Sequence, residues 1–106
     1  MYVHVDLGDD PAAVTLAEAA DCTRFHVAVA GPADAARLDA ALRVADAGGL
    51  DGDGEALVRV DAVRRLAAGA VGDSWGPDFD AMLDYARAKG WLSEDGSLIR
   101  AHVEWG

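Results

Sequence analysis

A chain of 106 residues, 52% apolar and 26% charged, is long enough for one domain over residues 1–106 and too apolar for intrinsic disorder. Nineteen acidic residues against nine basic ones leave a net charge of -10, which repels phosphate backbones and anionic lipid at long range, so no nucleic acid and no membrane is expected as a partner. No apolar run approaches the ~20 residues of a membrane span, and Met1–Asp6 has neither the basic start nor the apolar middle of a secretory signal, which makes the cytoplasm the expected location.

In chain order, Val3, Val5 and Leu7 alternate with His4 and Asp6, the period of two of a strand with one buried face, and Gly8 closes it. Asp10 as a cap and Pro11 in the first turn then predict a short helix carrying Val14, Ala17 and Ala20. Phe25, Val27 and Val29 alternate with His26, Ala28 and Ala30 in a second strand. Gly31-Pro32 opens a helix with Ala35, Leu38, Leu42 and Ala45 on one stripe and Asp34, Arg37, Asp39 and Arg43 on the other. Gly48-Gly49 is expected to supply its left-handed stop.

Leu50 to Gly54 reads as a polar, glycine-rich loop. The next stretch admits two readings. Leu57, Val60, Val63, Leu66 and Ala70 fit one continuous helix, whereas Val58 beside Val60, and Asp61 as a cap, favour a strand over Ala56–Val60 followed by a helix. Pro77 starts a last helix with Phe79, Met82, Leu83 and Ala86 inward, ended by Gly90, and Ser93 to Gly96 is a turn. Ile99, Ala101, Val103 and Trp105 then alternate with Arg100, His102 and Glu104 in a final strand.

The order β-α-β-α-β-α-α-β predicts an α+β fold: a two-layer sandwich, with a small mixed sheet of three to four strands and helices on one face. Helices on both faces would not tolerate the polar residues that alternate through the first and last strands.

Few motifs carry chemistry. Cys22 is the only cysteine, which excludes an intrachain disulfide and any cysteine-based zinc pattern, and at the end of the first expected helix it reads as a small hydrophobe. Eight arginines to one lysine point to a GC-rich bacterial coding bias. Gly72-Asp73-Ser74-Trp75-Gly76 fits the Gly-x-Ser-x-Gly nucleophile pattern, but helix rather than strand is expected before it and Pro77 explains Gly76 as helix entry. Asp51-Gly52-Asp53-Gly54-Glu55 has the composition of a calcium loop. In the EF-hand register, however, Gly49 and Val60 fall where carboxylates are required, so a solvated turn is the better account.

Residues Phe79 to Trp105 resemble the last helix and two-stranded wing of winged-helix regulators, which would imply DNA binding. Asp78, Asp80, Asp84, Glu94 and Asp95 put the wrong charge on that surface. Trp75, Trp91 and Trp105 are expected mainly in the core, and the open sheet face or the edge of the final strand would suit a homodimer.

The strongest constellation is His4-x-Asp6, His26 and His102-x-Glu104, three imidazoles that alternate with the apolar residues of their strands. With a suitable strand order they share the open face, where His4 or His102 would serve as base, Asp6 or Glu104 would orient it, and His26, Arg100 and Trp105 would bind a ligand. No metal and no cofactor is expected. The first expectation is nevertheless a small accessory or protein-interaction domain without chemistry of its own, the alternative being an enzyme or ligand-binding protein that uses this cluster.

Overall fold

The computed structural model describes residues 1–9, 11–52 and 54–106. Its elements are β1 (Tyr2–Asp6), β2 (Ala13–Ala17), β3 (His26–Ala30), α1 (Ala35–Val44), β4 (Gly48–Leu50), β5 (Glu55–Arg59), α2 (Val60–Ala67), α3 (Trp75–Ala88) and β6 (Leu98–Trp105). The fold is α+β as expected, but the mixed sheet has six strands in the order β2-β1-β3-β6-β5-β4. Strands β1, β3 and β6 are mutually parallel, while β2, β5 and β4 add antiparallel pairs towards the two edges.

Two strands replace features expected to be helical. Ala13–Ala17 is β2, paired antiparallel with β1 through Val5↔Val14 and Val3↔Leu16. The helical stripe there rested on alanines, which serve either period, whereas Val14 and Leu16 alternate with Ala13, Thr15 and Ala17 and bring two apolar side chains to the core. Asp10, the expected cap, lies outside the described residues.

The second is β4. Helix α1 is capped by Asp34, whose Oδ1 accepts Arg37 N–H at 3.1 Å, and it stops earlier than Gly48. Asp46 takes the left-handed conformation at φ 55°, with Ala47 N–H donating to Leu42 O at 2.8 Å and Asp46 N–H to Arg43 O at 3.0 Å. Gly48 and Gly49 are thereby released to pair with Val58 and Leu57. Helix α1 also lies along this edge strand, Asp39 Oδ1 accepting Leu50 N–H at 2.9 Å, an arrangement that departs from a plain two-layer sandwich.

The strand-then-helix reading of residues 55–68 describes β5 and α2, with the boundary at Arg59–Val60. Asp61 is in the first turn of α2 instead of at its cap, and Arg59 makes no side-chain capping bond. In the last third, Phe79 and Ala86 are buried while Met82 and Leu83 pack half-buried against the core. The expected wing reduces to one bridge, Leu92↔Ile99, because β6 is engaged by β3 and β5 in the middle of the sheet. For the same reason the final strand offers no free edge.

One core results. Val3, Val5, Val27, Val29, Ala56, Val58, Ile99, Ala101 and Val103 on one side of the strands are buried with Leu38, Leu42, Val63 and Phe79 from the helices. The intervening residues of β1, β3, β5 and β6 form the open face, part exposed or fully so.

Candidate functional site

Strand order decides what the open face assembles. The register aligns Tyr2 with His26, His26 with His102, and His102 with Glu55, a row across four strands. One step along, His4, Ala28 and Glu104 form a second row, with Thr15 of β2 at its end. Side chains two apart on a strand share a face, so all three histidines do stand on one surface.

His26 is the centre of this surface. Its ring stacks on Tyr2 with centroids 4.9 Å apart and planes at 18°, and its Nε2 lies 3.4 Å from Glu104 Oε2. Tyr2 also meets His4 edge-on at 6.4 Å. The pairing differs from the expected one, since Glu104 approaches His26 rather than its own-strand neighbour His102. Asp6 orients no histidine, because its Oδ1 accepts Gly8 N–H at 2.9 Å and is spent on the turn after β1.

Arg100 sits one turn of the pleat from His102. It donates to the Asp51 carboxylate and lies 3.6 Å from Glu55, and the bond to Asp51 raises its already high pKa. Two carboxylates thus neutralise the guanidinium expected to hold an anion. Trp105 aligns with Val29 and shares the core side of the sheet, away from His26 and Arg100. Among the described residues no three His, Cys, Asp or Glu side chains converge as a metal ion requires.

The face carries a notch of about 220 Å³, lined by Phe25, Glu55, Trp91, Arg100 and His102, and, towards β4, a wider hollow of about 440 Å³ lined by Leu57, Arg59 and Leu98 with Arg43 and Asp46. Trp91 reaches it because Arg100 N–H donates to Trp91 O at 2.7 Å, so that residues 91–93 flank the first half of β6 on the side that β3 takes further on. Trp91 is 45% exposed and meets Tyr85, 58% exposed, edge-on at 6.0 Å. Phe25, Met82 and Ala86 line the adjoining hollow.

The chain matches no protein-family model, no curated protein and no solved structure. The geometry alone therefore bears on function.

The other motifs dissolve into structure. Ser74 is the residue before α3 and makes no side-chain capping bond, and Trp75 anchors that helix through Nε1–H to Ala19 O at 2.6 Å. Cys22 lies between β2 and β3 instead of at a helix end, and burial followed by the nearby Asp78 charge raises its thiol pKa, the opposite of activation. Asp51 serves Arg100, and Asp53 lies outside the described residues. No helix among the described residues is long and apolar enough to cross a membrane.

Tyr2, Trp91, Phe25 and Glu55 belong to the surface and were not among the expected site residues. The alternation that exposed His4 and Asp6 also reaches Tyr2, one residue before the expected strand start. For Trp91 and Glu55 no local signal exists, because their places follow from the central position of β6.

Proposed function

We propose that this chain is a protein-interaction domain whose recognition surface is the open sheet face and its Trp91 notch. The observation that carries the reading is the exposed Trp91–Tyr85 pair beside Phe25, Met82 and Arg100, the residue types that dominate binding energy at protein interfaces. The notch of about 220 Å³ is smaller than the roughly 300–1,000 Å³ of typical small-molecule sites. An apolar anchor side chain of a larger partner fits it better. Asp6, Asp51, Glu55 and Glu104 outnumber Arg59 and Arg100 on and beside the face, so the complementary partner is a protein with a basic surface.

The enzyme reading has less support. A general base needs an orienting partner and a proton to take, yet the carboxylate of Asp6 is engaged by the backbone, Glu104 is with His26, and the phenol ring of Tyr2 beside His26 lies stacked on the imidazole at 4.9 Å.

The test is site-specific photo-crosslinking in the cells that make the protein. A photoreactive residue at Ala28, in the middle of the face, is expected to join one basic protein, and the adduct is lost on Trp91→Ala and on Glu55→Lys with Glu104→Lys. The same group at Arg65, on the far side, gives none. The absence of an adduct at position 28, or an adduct indifferent to these substitutions, overturns the proposal.

A further inference from the structure

The two edges of the sheet are treated differently. Strand β4 is three residues long and its outward Leu50 N–H is taken by Asp39, which Arg43 holds by an ion pair at 2.8 Å. That edge is short and obstructed by α1. Strand β2, at the other end, is Ala-Val-Thr-Leu-Ala, with no charge, proline or bulge, and among the described residues no strand lies beyond it. Folded proteins ordinarily protect such an edge with one of those devices.

The direction of its free groups follows from the ladder. Leu7 N–H donates to Ala30 O at 2.9 Å, so odd-numbered residues of β1 face β3 and Tyr2, His4 and Asp6 face β2. Their partners Ala17, Thr15 and Ala13 face inward, which leaves the N–H and C=O of Val14 and Leu16 directed outward. The sequence around Thr15 is nearly palindromic. Antiparallel pairing of two copies about Thr15 sets Val14 against Leu16 twice, and each such pair exchanges two hydrogen bonds. Thr15 meets its own copy as a closely spaced non-hydrogen-bonded pair on the open face, and Ala13 meets Ala17. All the outward groups of Val14 and Leu16 are then satisfied.

The surroundings agree. Beside β2 on the helix side runs a groove of about 410 Å³, lined by Leu7, Val14, Ala40, Ala41 and Val44 among others, and Val44 is 84% exposed. A strand added at β2 brings Val14 and Leu16 of a second copy to the mouth of that groove. The twofold operation makes the contact isologous and closed, so it ends at two chains.

We propose that β2 pairs antiparallel with β2 of a second copy of this chain about Thr15, joining two six-stranded sheets into one. This concerns the edge of the sheet and stands apart from the binding of a partner to its face. The net charge of -10 on each copy opposes association, so salt strengthens the dimer by screening.

Sedimentation of the full chain from micromolar to millimolar concentration tests it. The expected result is a monomer–dimer equilibrium favoured by salt, weakened about tenfold or more by Thr15→Lys, which places two like charges at the twofold, and kept by Thr15→Ser. Because Thr15→Lys could affect folding, amide exchange of Val14 and Leu16 in the unmodified chain is a second reading, with protection expected to rise with concentration. A monomer throughout the range, a dimer indifferent to Thr15→Lys, or Val14 and Leu16 amides equally unprotected at all concentrations overturns the proposal.

Discussion

Tyr2 and His26 are register partners in parallel strands, and their rings lie flat on one another at 4.9 Å on the solvent side of the sheet. The stacked imidazole meets Glu104 through its Nε2 edge, 3.4 Å from Oε2. Tyr2→Leu is expected to cost about 1 kcal/mol, the usual worth of an aromatic pair, without changing the fold. In NMR spectra the His26 ring protons should stand upfield in the parent and move downfield in the variant. Unchanged shifts would mean that the rings do not stack.

Trp75 ties the start of α3 to the β2–β3 connection through its bond to Ala19 O, and it stacks on Phe79 at 4.6 Å and 9°. Trp75→Phe keeps most of the ring area and strands a carbonyl. The expected loss, read by urea denaturation, is about 1–3 kcal/mol. A neutral result would show that Ala19 O finds another donor at no cost.

Gly48 has φ 134°, and a Cβ there would lie 1.9 Å from Leu57 O across the β4–β5 pair. Gly48→Ala should therefore destabilise by about 3 kcal/mol or more, since backbone strain and overlap add. Gly52→Ala is the contrast. Gly52 has φ 78° with nothing within 4 Å, so only the left-handed backbone term of about 1–2 kcal/mol applies. Thermal unfolding of the two variants should rank them in that order, and equal losses would contradict the β4 pairing.

Asp95 receives Ser97 Oγ–H at 2.7 Å, Ser97 N–H at 3.0 Å and Ser93 Oγ–H at 2.7 Å. These bonds, Ser97 foremost, hold its carboxyl pKa at about 2, below the ordinary 3.8. A depressed folded pKa means that the stabilisation is complete above the unfolded value and is lost as pH falls from 3.8 through about 2. Carboxyl-carbon NMR should place the Asp95 midpoint near 2, and Asp95→Asn should remove part of the loss of stability in that window. An ordinary midpoint would dissolve the turn as described.

Sequence patterning showed what was local. The alternation in Val3–Leu7, Val27–Val29 and Ile99–Trp105 gave three of the strands and the side on which each histidine stands. It failed where alanine blurred the period, at Ala13–Ala17, and where glycines served a strand instead of a helix end, at Gly48–Gly49. The site needed more than patterning. That His26 and His102 are neighbours depends on β6, last in the chain, entering between β3 and β5, and no local spacing encodes that choice. Glu104 at His26, Asp51 at Arg100 and Trp91 at the notch all follow from it.

The central claim is that the open face recognises a macromolecule and holds neither a metal nor a small anion. Two-dimensional NMR of the His4, His26 and His102 rings tests it most directly, with one equivalent of zinc, then manganese, then phosphate and acetate. The account predicts no saturable shift, because among the described residues no three potential ligands converge and Arg100 is already paired with Asp51 and Glu55. A saturable shift shared by His26 and His102 with any one of these additives would contradict it and make the row a small-ligand site.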